Sequence, residues 1–300
     1  MTFSALLTKE LRSRLRRERS IWLIIAYLSV LGLLGFVFLV RANAFSGGSR
    51  VYLLSQTGAQ LYALLSFVQL AWVVFIAPAF TSTSINGEKE RQTFDLLLCS
   101  KLSAFSLLTG KLMAGLANVL LLIAASIPLF SLVFFFGGVA PSQVFAMLLI
   151  CVMTAIVAGT FGLFCSTVFQ RPNVSTAIAY GFCVLWMFAY WVVYYLISSG
   201  TPPGNSRAIG WVQVLNAWNP ISALNSILSG GQAGVGGGGG VSTFTFFRLH
   251  LAPWLAFTLV SLVVAVILFL LSSAFVKPDT PGRFLAWLRL RGKRLKPSTA

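Results

Sequence analysis

The sequence predicts an all-α integral membrane protein, and three observations support that fold class. Apolar residues make up 57% of the chain, charged residues only 9%, and the mean hydropathy is +0.87. Six apolar stretches reach the roughly 20 residues that a helix needs to cross the hydrocarbon of a bilayer. These stretches are continuously apolar and do not alternate as barrel strands do. We therefore expect six transmembrane helices, at about 21–40, 61–84, 112–136, 143–168, 174–197 and 251–275.

Basic residues are distributed unevenly about these spans. Of the 22 Lys and Arg residues, 18 precede span one, follow span six, or lie between spans two and three or spans four and five. The positive-inside rule assigns such segments to the cytoplasm. Both termini are therefore predicted to be cytoplasmic. The net charge of +16 is then attributed to orientation and contact with anionic lipid, and nucleic acid is not expected as a partner.

The three parts of the chain have different predicted environments. Residues 1–20 are expected to form an amphipathic elbow helix on the membrane surface, because leucines recur at helical spacing among basic residues. A cleaved secretory signal is the alternative, but the following apolar run exceeds the length of about 7–15 residues that is usual there. Residues 21–275 form the six-span domain, and residues 276–300 form a basic cytoplasmic tail.

The longest external segment, about 198–250, combines two kinds of sequence. Five successive glycines at 236–240 predict a flexible loop, because ordering them costs more entropy than they can recover by packing. Residues 211–228 instead carry apolar residues near helical spacing, interrupted at Pro220. We expect short external helices that cap the bundle.

The spans are also informative for what they lack. None of them contains Asp, Glu, Lys, Arg or His between its predicted ends, which disfavours an ion-coupled transporter or an intramembrane hydrolase. No catalytic residue and no metal site is predicted, and the four cysteines are expected to be packing residues. The uncharged interior favours a lipidic or amphipathic cargo.

Prolines and small residues predict local features of the spans. Pro78, Pro128 and Pro253 are expected to bend or locally open spans two, three and six. The pairs Ala155/Gly159 and Ala158/Gly162 predict a close helix approach at span four. The following aromatic residues of spans two and five are expected to line the pathway or a dimer contact, or to face lipid: Phe75, Phe80, Trp186, Phe188, Tyr190, Trp191, Tyr194 and Tyr195.

Half of the six acidic residues stand in one stretch, "SINGEKERQTFDLLL" at 84–98, in the predicted cytoplasmic segment between spans two and three. At 100° per residue one helical face carries Glu88, Arg91, Gln92 and Asp95. The other face carries Phe94, Leu97 and Leu98. A short amphipathic helix and a solvated loop both explain this pattern.

Residues 78–116, "PAFTSTSINGEKERQTFDLLLCSKLSAFSLLTGKLMAGL", resemble the signature region of ABC-2-type permeases, the membrane subunits of ATP-binding-cassette exporters. The shared elements, in chain order, are Pro78, Ser84, Ile85, Glu88, Glu90, Thr93, Leu96 to Leu98, Leu102, Ser103, Gly110 and Lys111. Lys101 departs from the pattern, because the family often has a proline there. That departure puts the shape of the turn in doubt but not the resemblance.

The resemblance implies a cytoplasmic coupling helix between spans two and three that docks on a separate ABC ATPase subunit. It assigns ATPase coupling to Glu88, Glu90, Arg91, Thr93 and Asp95, and an apolar contact face to Phe94, Leu97 and Leu98. ATP and magnesium would be bound by the partner. The chain itself would carry no cofactor and would not be an enzyme, and its glycine-rich run indeed lacks the phosphate-loop pattern.

The resemblance further implies a multi-pass protein of a prokaryotic plasma membrane. Two permease chains, in a homo- or heterodimer, would enclose an export pathway. The alternative is a non-transporting membrane anchor or assembly subunit of a secretion, motility or maturation complex, because one fold can serve different tasks. A channel is less favoured, since no charged ring is present to select ions.

Overall fold

The structure is a computed structural model that describes residues 18–44, 50–90, 104–200, 218–230, 244–246 and 249–276. Most of the predicted elbow helix, the run of glycines and the basic tail lie outside the described residues. Six of the predicted coupling residues also lie outside them: Arg91, Thr93, Phe94, Asp95, Leu97 and Leu98.

Six long helices form the body of the molecule and confirm the six predicted spans. In chain order the elements are α1 Glu18–Ala44, α2 Arg50–Thr81, α3 Asn86–Glu90, α4 Ala104–Phe136, α5 Pro141–Val168, α6 Pro172–Gly200, α7 Pro220–Gly230, β1 Phe244–Phe246, β2 Leu249–Leu251 and α8 Pro253–Val276. The strands pair antiparallel in a small hairpin. The long helices are α1, α2, α4, α5, α6 and α8, and each is long and apolar enough to cross a membrane.

Helices α2 and α4 run antiparallel, as contacts at both ends of this pair show. The end of α2 lies beside Gly115 near the start of α4, while Gly58 near the start of α2 lies against Gly137 after the end of α4. Helix α5 occupies the centre and packs against α2, α4, α6 and α8. Its small residues, among them Ala155 and Ala158, are fully buried. The core is therefore organised around α5, which is the predicted span four.

The prolines divide into two groups. Pro78 and Pro128 lie inside α2 and α4, as the sequence predicted. The prediction that Pro253 bends span six is wrong, because α8 begins at this residue. The first helical position suits proline, since the backbone N–H that it lacks would have no partner within the helix.

A short helix extends into the bundle at the end opposite α3. Helix α7 begins at Pro220, where the sequence predicted an interruption. Asn219 accepts a hydrogen bond from the Ile221 N–H at 2.8 Å and donates one to the Met187 carbonyl at 2.8 Å. Because Met187 lies near the middle of α6, the start of α7 is held deep between the long helices.

Trp186 forms part of an aromatic cluster beside this short helix. Its indole donates to the Trp218 carbonyl at 2.7 Å, and its ring packs against Phe182, Trp218 and Phe257. Only 3% of Trp186 is exposed. Trp186 therefore does not face lipid or a second chain, whereas Phe75, Phe188, Trp191 and Tyr195 are exposed on the surface of the chain.

Candidate coupling site

The chain between α2 and the end of α3, here called the 82–90 segment, is a compact turn followed by one turn of helix. The Ser82 N–H donates to the Pro78 carbonyl at 2.9 Å, and the Lys89 N–H donates to the Ile85 carbonyl at 3.0 Å. Ser82, Ile85 and Asn86 are completely buried. This part of the stretch is therefore packed into the protein, which disagrees with the solvated-loop alternative.

A notch of three glycines receives the end of α2 just before the segment. A Cβ added at Gly162 would collide with the Thr81 hydroxyl, and one at Gly115 would lie 2.8 Å from the Thr81 methyl. A Cβ at Gly159 would lie 2.8 Å from Leu116 and 3.5 Å from the Thr81 methyl. The close helix approach predicted at span four is confirmed, and α2 is one of the helices that approach.

Ser166, near the end of α5, holds the start of α3. Its side-chain oxygen accepts hydrogen bonds from two consecutive backbone N–H groups, Ile85 at 2.9 Å and Asn86 at 3.1 Å. The first N–H groups of a helix have no partner within the helix. Ser166, which is fully buried, supplies that partner from another span.

Helix α6 holds the other end of the same segment. The Ser175 hydroxyl donates to the Ser82 carbonyl at 2.9 Å, and the hydroxyls of Ser82 and Thr176 lie 3.0 Å apart. The Lys89 ammonium donates to the Thr167 carbonyl at 2.7 Å, close to the connection between α5 and α6. The segment is thus bound at several points to the hairpin of spans four and five.

An ion pair links the segment to span three. The ammonium nitrogen of Lys111 lies 2.5 Å from a carboxylate oxygen of Glu88 and donates to the Ser84 carbonyl at 2.7 Å. Only 4% of the Lys111 side chain is exposed, against 28% of the Glu88 side chain. The resemblance at 78–116 includes both residues but did not predict that they form a pair. In the sequence 22 residues lie between them, and no local pattern joins them.

Of the two acidic residues in the 82–90 segment, Glu90 is more accessible to solvent than Glu88. It is exposed at the end of α3, whereas Glu88 faces Lys111. Of the five residues assigned to ATPase coupling, these two are the ones that the structure describes. Their contact with a partner protein stays a prediction.

Asn86 has an unusual environment. Its side chain is fully buried, and neither of its polar atoms has a hydrogen-bond partner among the described residues. Leaving such a group unpaired costs about 1–3 kcal/mol. Within the same residues, no group of three His, Cys, Asp or Glu side chains is arranged to hold a metal ion.

The six long apolar helices define a multi-pass helical membrane protein, in which the 82–90 segment is bound to three of them. A comparison with protein-family models matches residues 49–271 to the family described as "ABC-2 family transporter protein". The match covers well over half of the chain, so the chain belongs to the ABC-2 family of transporter proteins. It is a membrane component of ABC transport, as the resemblance at 78–116 implied. A comparison with curated proteins found no matching relative.

Proposed function

We propose that the chain is the permease subunit of an ABC exporter, and that a separate ATPase drives it through the 82–90 segment. The observation that carries the proposal is the attachment of this one short segment to three spans. Lys111 binds it to α4, Ser166 to α5 and Ser175 to α6. A force applied to the segment is therefore transmitted directly to the body of the bundle, which is what a two-state transporter requires.

The exposed end of the segment supports contact with a basic partner surface. Glu90 is open to solvent, and a carboxylate can form charge-assisted hydrogen bonds with Arg or Lys of another protein, worth about 1.5–3 kcal/mol each. The partner would bind ATP and magnesium and hydrolyse the nucleotide. The side of the membrane that carries the segment would then be the cytoplasm, in agreement with the positive-inside rule.

The surface of α6 supports a second permease chain. Leu185, Phe188, Trp191, Val192 and Tyr195 each expose more than half of their surface. Such a face meets either lipid or another spanning helix, and large aromatic residues are common anchors in protein contacts. We propose that two permease chains, identical or different, enclose the pathway.

The test is nucleotide turnover by the purified chain and by its complex with the ABC ATPase that co-purifies with it from the native membrane. We expect no hydrolysis by the chain alone and steady hydrolysis by the complex, lost when the catalytic carboxylate of the ATPase is replaced. A substrate panel rich in lipids and amphipathic molecules should include a stimulator. Turnover by the chain alone, or failure of the two proteins to assemble, would contradict the proposal. Assembly with no stimulated turnover or transport would favour the anchor.

A further inference from the structure

Ser166 caps the start of α3, although a helix is usually capped by a residue adjacent to it in sequence. A helix commonly begins with its own polar residue, whose side chain accepts the first free N–H groups. Just before these N–H groups stands Ser84, but its hydroxyl donates to the Thr81 carbonyl at 2.7 Å. The Ile85 and Asn86 N–H groups bind the hydroxyl of Ser166 instead. The conformation of α3 therefore depends on a residue that belongs to span four.

The position of Ser166 connects this contact to span five as well. Helix α5 ends at Val168 and α6 begins at Pro172, so the two helices are joined by three residues. Ser175 in the first turn of α6 binds the Ser82 carbonyl. Both helices of this tight hairpin therefore hold the segment. Helix α6 holds it near Ser82, and α5 holds it at the beginning of α3.

The contacts with spans four and five are different in kind from the contact with span three. Span three is joined through the charged side chain of Lys111, which pairs with a carboxylate that is 28% exposed and also donates to the Ser84 carbonyl. Spans four and five are joined chiefly through the fully buried hydroxyls of Ser166 and Ser175, with one further bond from the Lys89 ammonium to the Thr167 carbonyl. A buried hydrogen bond in a dry environment has no water to replace a lost partner, so it favours movement of the joined parts as one body.

We propose that Ser166 is the positioning residue that fixes the 82–90 segment to the α5–α6 hairpin, so that the ATPase moves spans four and five together with the segment. This deepens the proposed function, on which it rests, by naming the spans that move with the segment and the residue that fixes them to it. Lys111 transmits the same movement to span three by an independent contact.

The first experiment uses the purified chain alone, on a background without the native cysteines. Spin labels at Thr83 and Ser142, which are exposed near the two ends of the bundle, report the distance along α5 by pulsed electron resonance. We expect a narrow distribution in the parent and a broad one in Ser166→Ala. Ser166→Thr keeps the hydroxyl and should restore the narrow distribution. An unchanged distribution in Ser166→Ala would overturn the proposal.

The second experiment uses the complex with the ATPase, trapped with magnesium, ATP and vanadate. Single labels at Asn173, in the first turn of α6, and at Met113, on the exposed side of α4, report the hairpin and span three separately. The measured response is the change in spin-label mobility when nucleotide is trapped. In Ser166→Ala we expect this change to be lost at Asn173 and to remain at Met113. Ser175→Ala provides a second variant with the same expected loss, should Ser166→Ala fail to fold.

The matched control is Thr154→Val, which removes a fully buried hydroxyl of the same helix that bonds back to the Ile150 carbonyl. It should keep the response of both labels to nucleotide. A full Asn173 response in Ser166→Ala, or an equal loss in Thr154→Val, would refute the role of Ser166 while leaving the proposed function intact. Absence of any response at either label in the parent complex would overturn the proposed function and this inference with it.

Discussion

The Glu88 carboxylate and the Lys111 ammonium form an ion pair of 2.5 Å that joins α3 to the first turns of α4. Lys111 also donates to the Ser84 carbonyl, so one buried cation holds both a side chain and the backbone of the turn. Glu88 therefore has a partner within the chain. Any role in coupling must include the way in which it shapes the 82–90 segment.

Removal of Lys111 should destabilise the chain more than neutralisation of Glu88. Deleting one member of a buried pair costs up to about 3–5 kcal/mol, and the partial exposure of Glu88 places the expected loss at or below the lower end of that range. Lys111→Met leaves the Ser84 carbonyl and the carboxylate without their cation, whereas Glu88→Gln keeps an oxygen that can accept. Denaturant unfolding of the purified chain in micelles measures the difference. Equal stability of Lys111→Met and the parent would refute the structural role.

Alanine at Gly162 should disrupt the end of α2. The added methyl group would collide with the Thr81 hydroxyl, and overpacking of this kind costs about 1–3 kcal/mol. Gly181→Ala is the control, because a Cβ there meets nothing within 4 Å and alanine improves the helix. Thermal denaturation should rank Gly162→Ala below the parent and Gly181→Ala at or above it. Thr81→Ala should partly rescue Gly162→Ala, and a lack of rescue would show that another contact limits the site.

Asn219 should control the position of α7. Asn219→Leu removes the acceptor of the Ile221 N–H and the donor to the Met187 carbonyl, and each lost hydrogen bond at a buried site costs about 1–3 kcal/mol. Asn219→Ser keeps an acceptor for the helix start but lacks the amide donor, so it should be intermediate. The fluorescence of the adjacent Trp186 and Trp218 reports when α7 separates from α6. In Asn219→Leu this change should occur at a lower denaturant concentration than in the parent. Identical unfolding curves for Asn219→Leu and the parent would contradict this role.

Cysteine labelling tests the orientation of the bundle. On a background without the native cysteines, Ser142→Cys should react from outside with a reagent that does not cross the membrane, and Thr83→Cys should react only after permeabilisation. Both positions are exposed, and they lie near opposite ends of the spans. The expectation follows from the concentration of basic residues on the side of Thr83. Reaction of Thr83→Cys from outside would invert the topology.

The spans could be predicted from the sequence because long apolar runs have few alternatives to a membrane helix. The first and last residues of the spans were harder to predict. Helix α2 begins at Arg50, well before the predicted start near residue 61, because Gln56 and Gln60 lower the apolar content of its first turns. Pro253 was placed inside a span because composition does not distinguish a helix interior from its first residue.

The sequence directed attention to the 82–90 segment but did not predict its contacts, and its coupling to an ATPase stays a prediction. The pattern of charged residues and the family resemblance both pointed to Glu88 and Glu90. The pairing of Glu88 with Lys111 and the role of Ser166 depend on how α2 enters the notch of Gly115, Gly159 and Gly162. That geometry is a property of three packed helices, and a single sequence offers no periodicity from which to read it.

Site-specific photo-crosslinking from Glu90 tests the central claim most directly. A photoreactive amino acid at this exposed position should capture the ATPase subunit of the complex in the native membrane. The same amino acid at Ser142, exposed near the opposite end of the bundle, should not capture it. Capture from Glu90 alone is the result that the account predicts. Capture from Ser142, or from neither position in a complex that is otherwise assembled and active, would contradict coupling through the 82–90 segment.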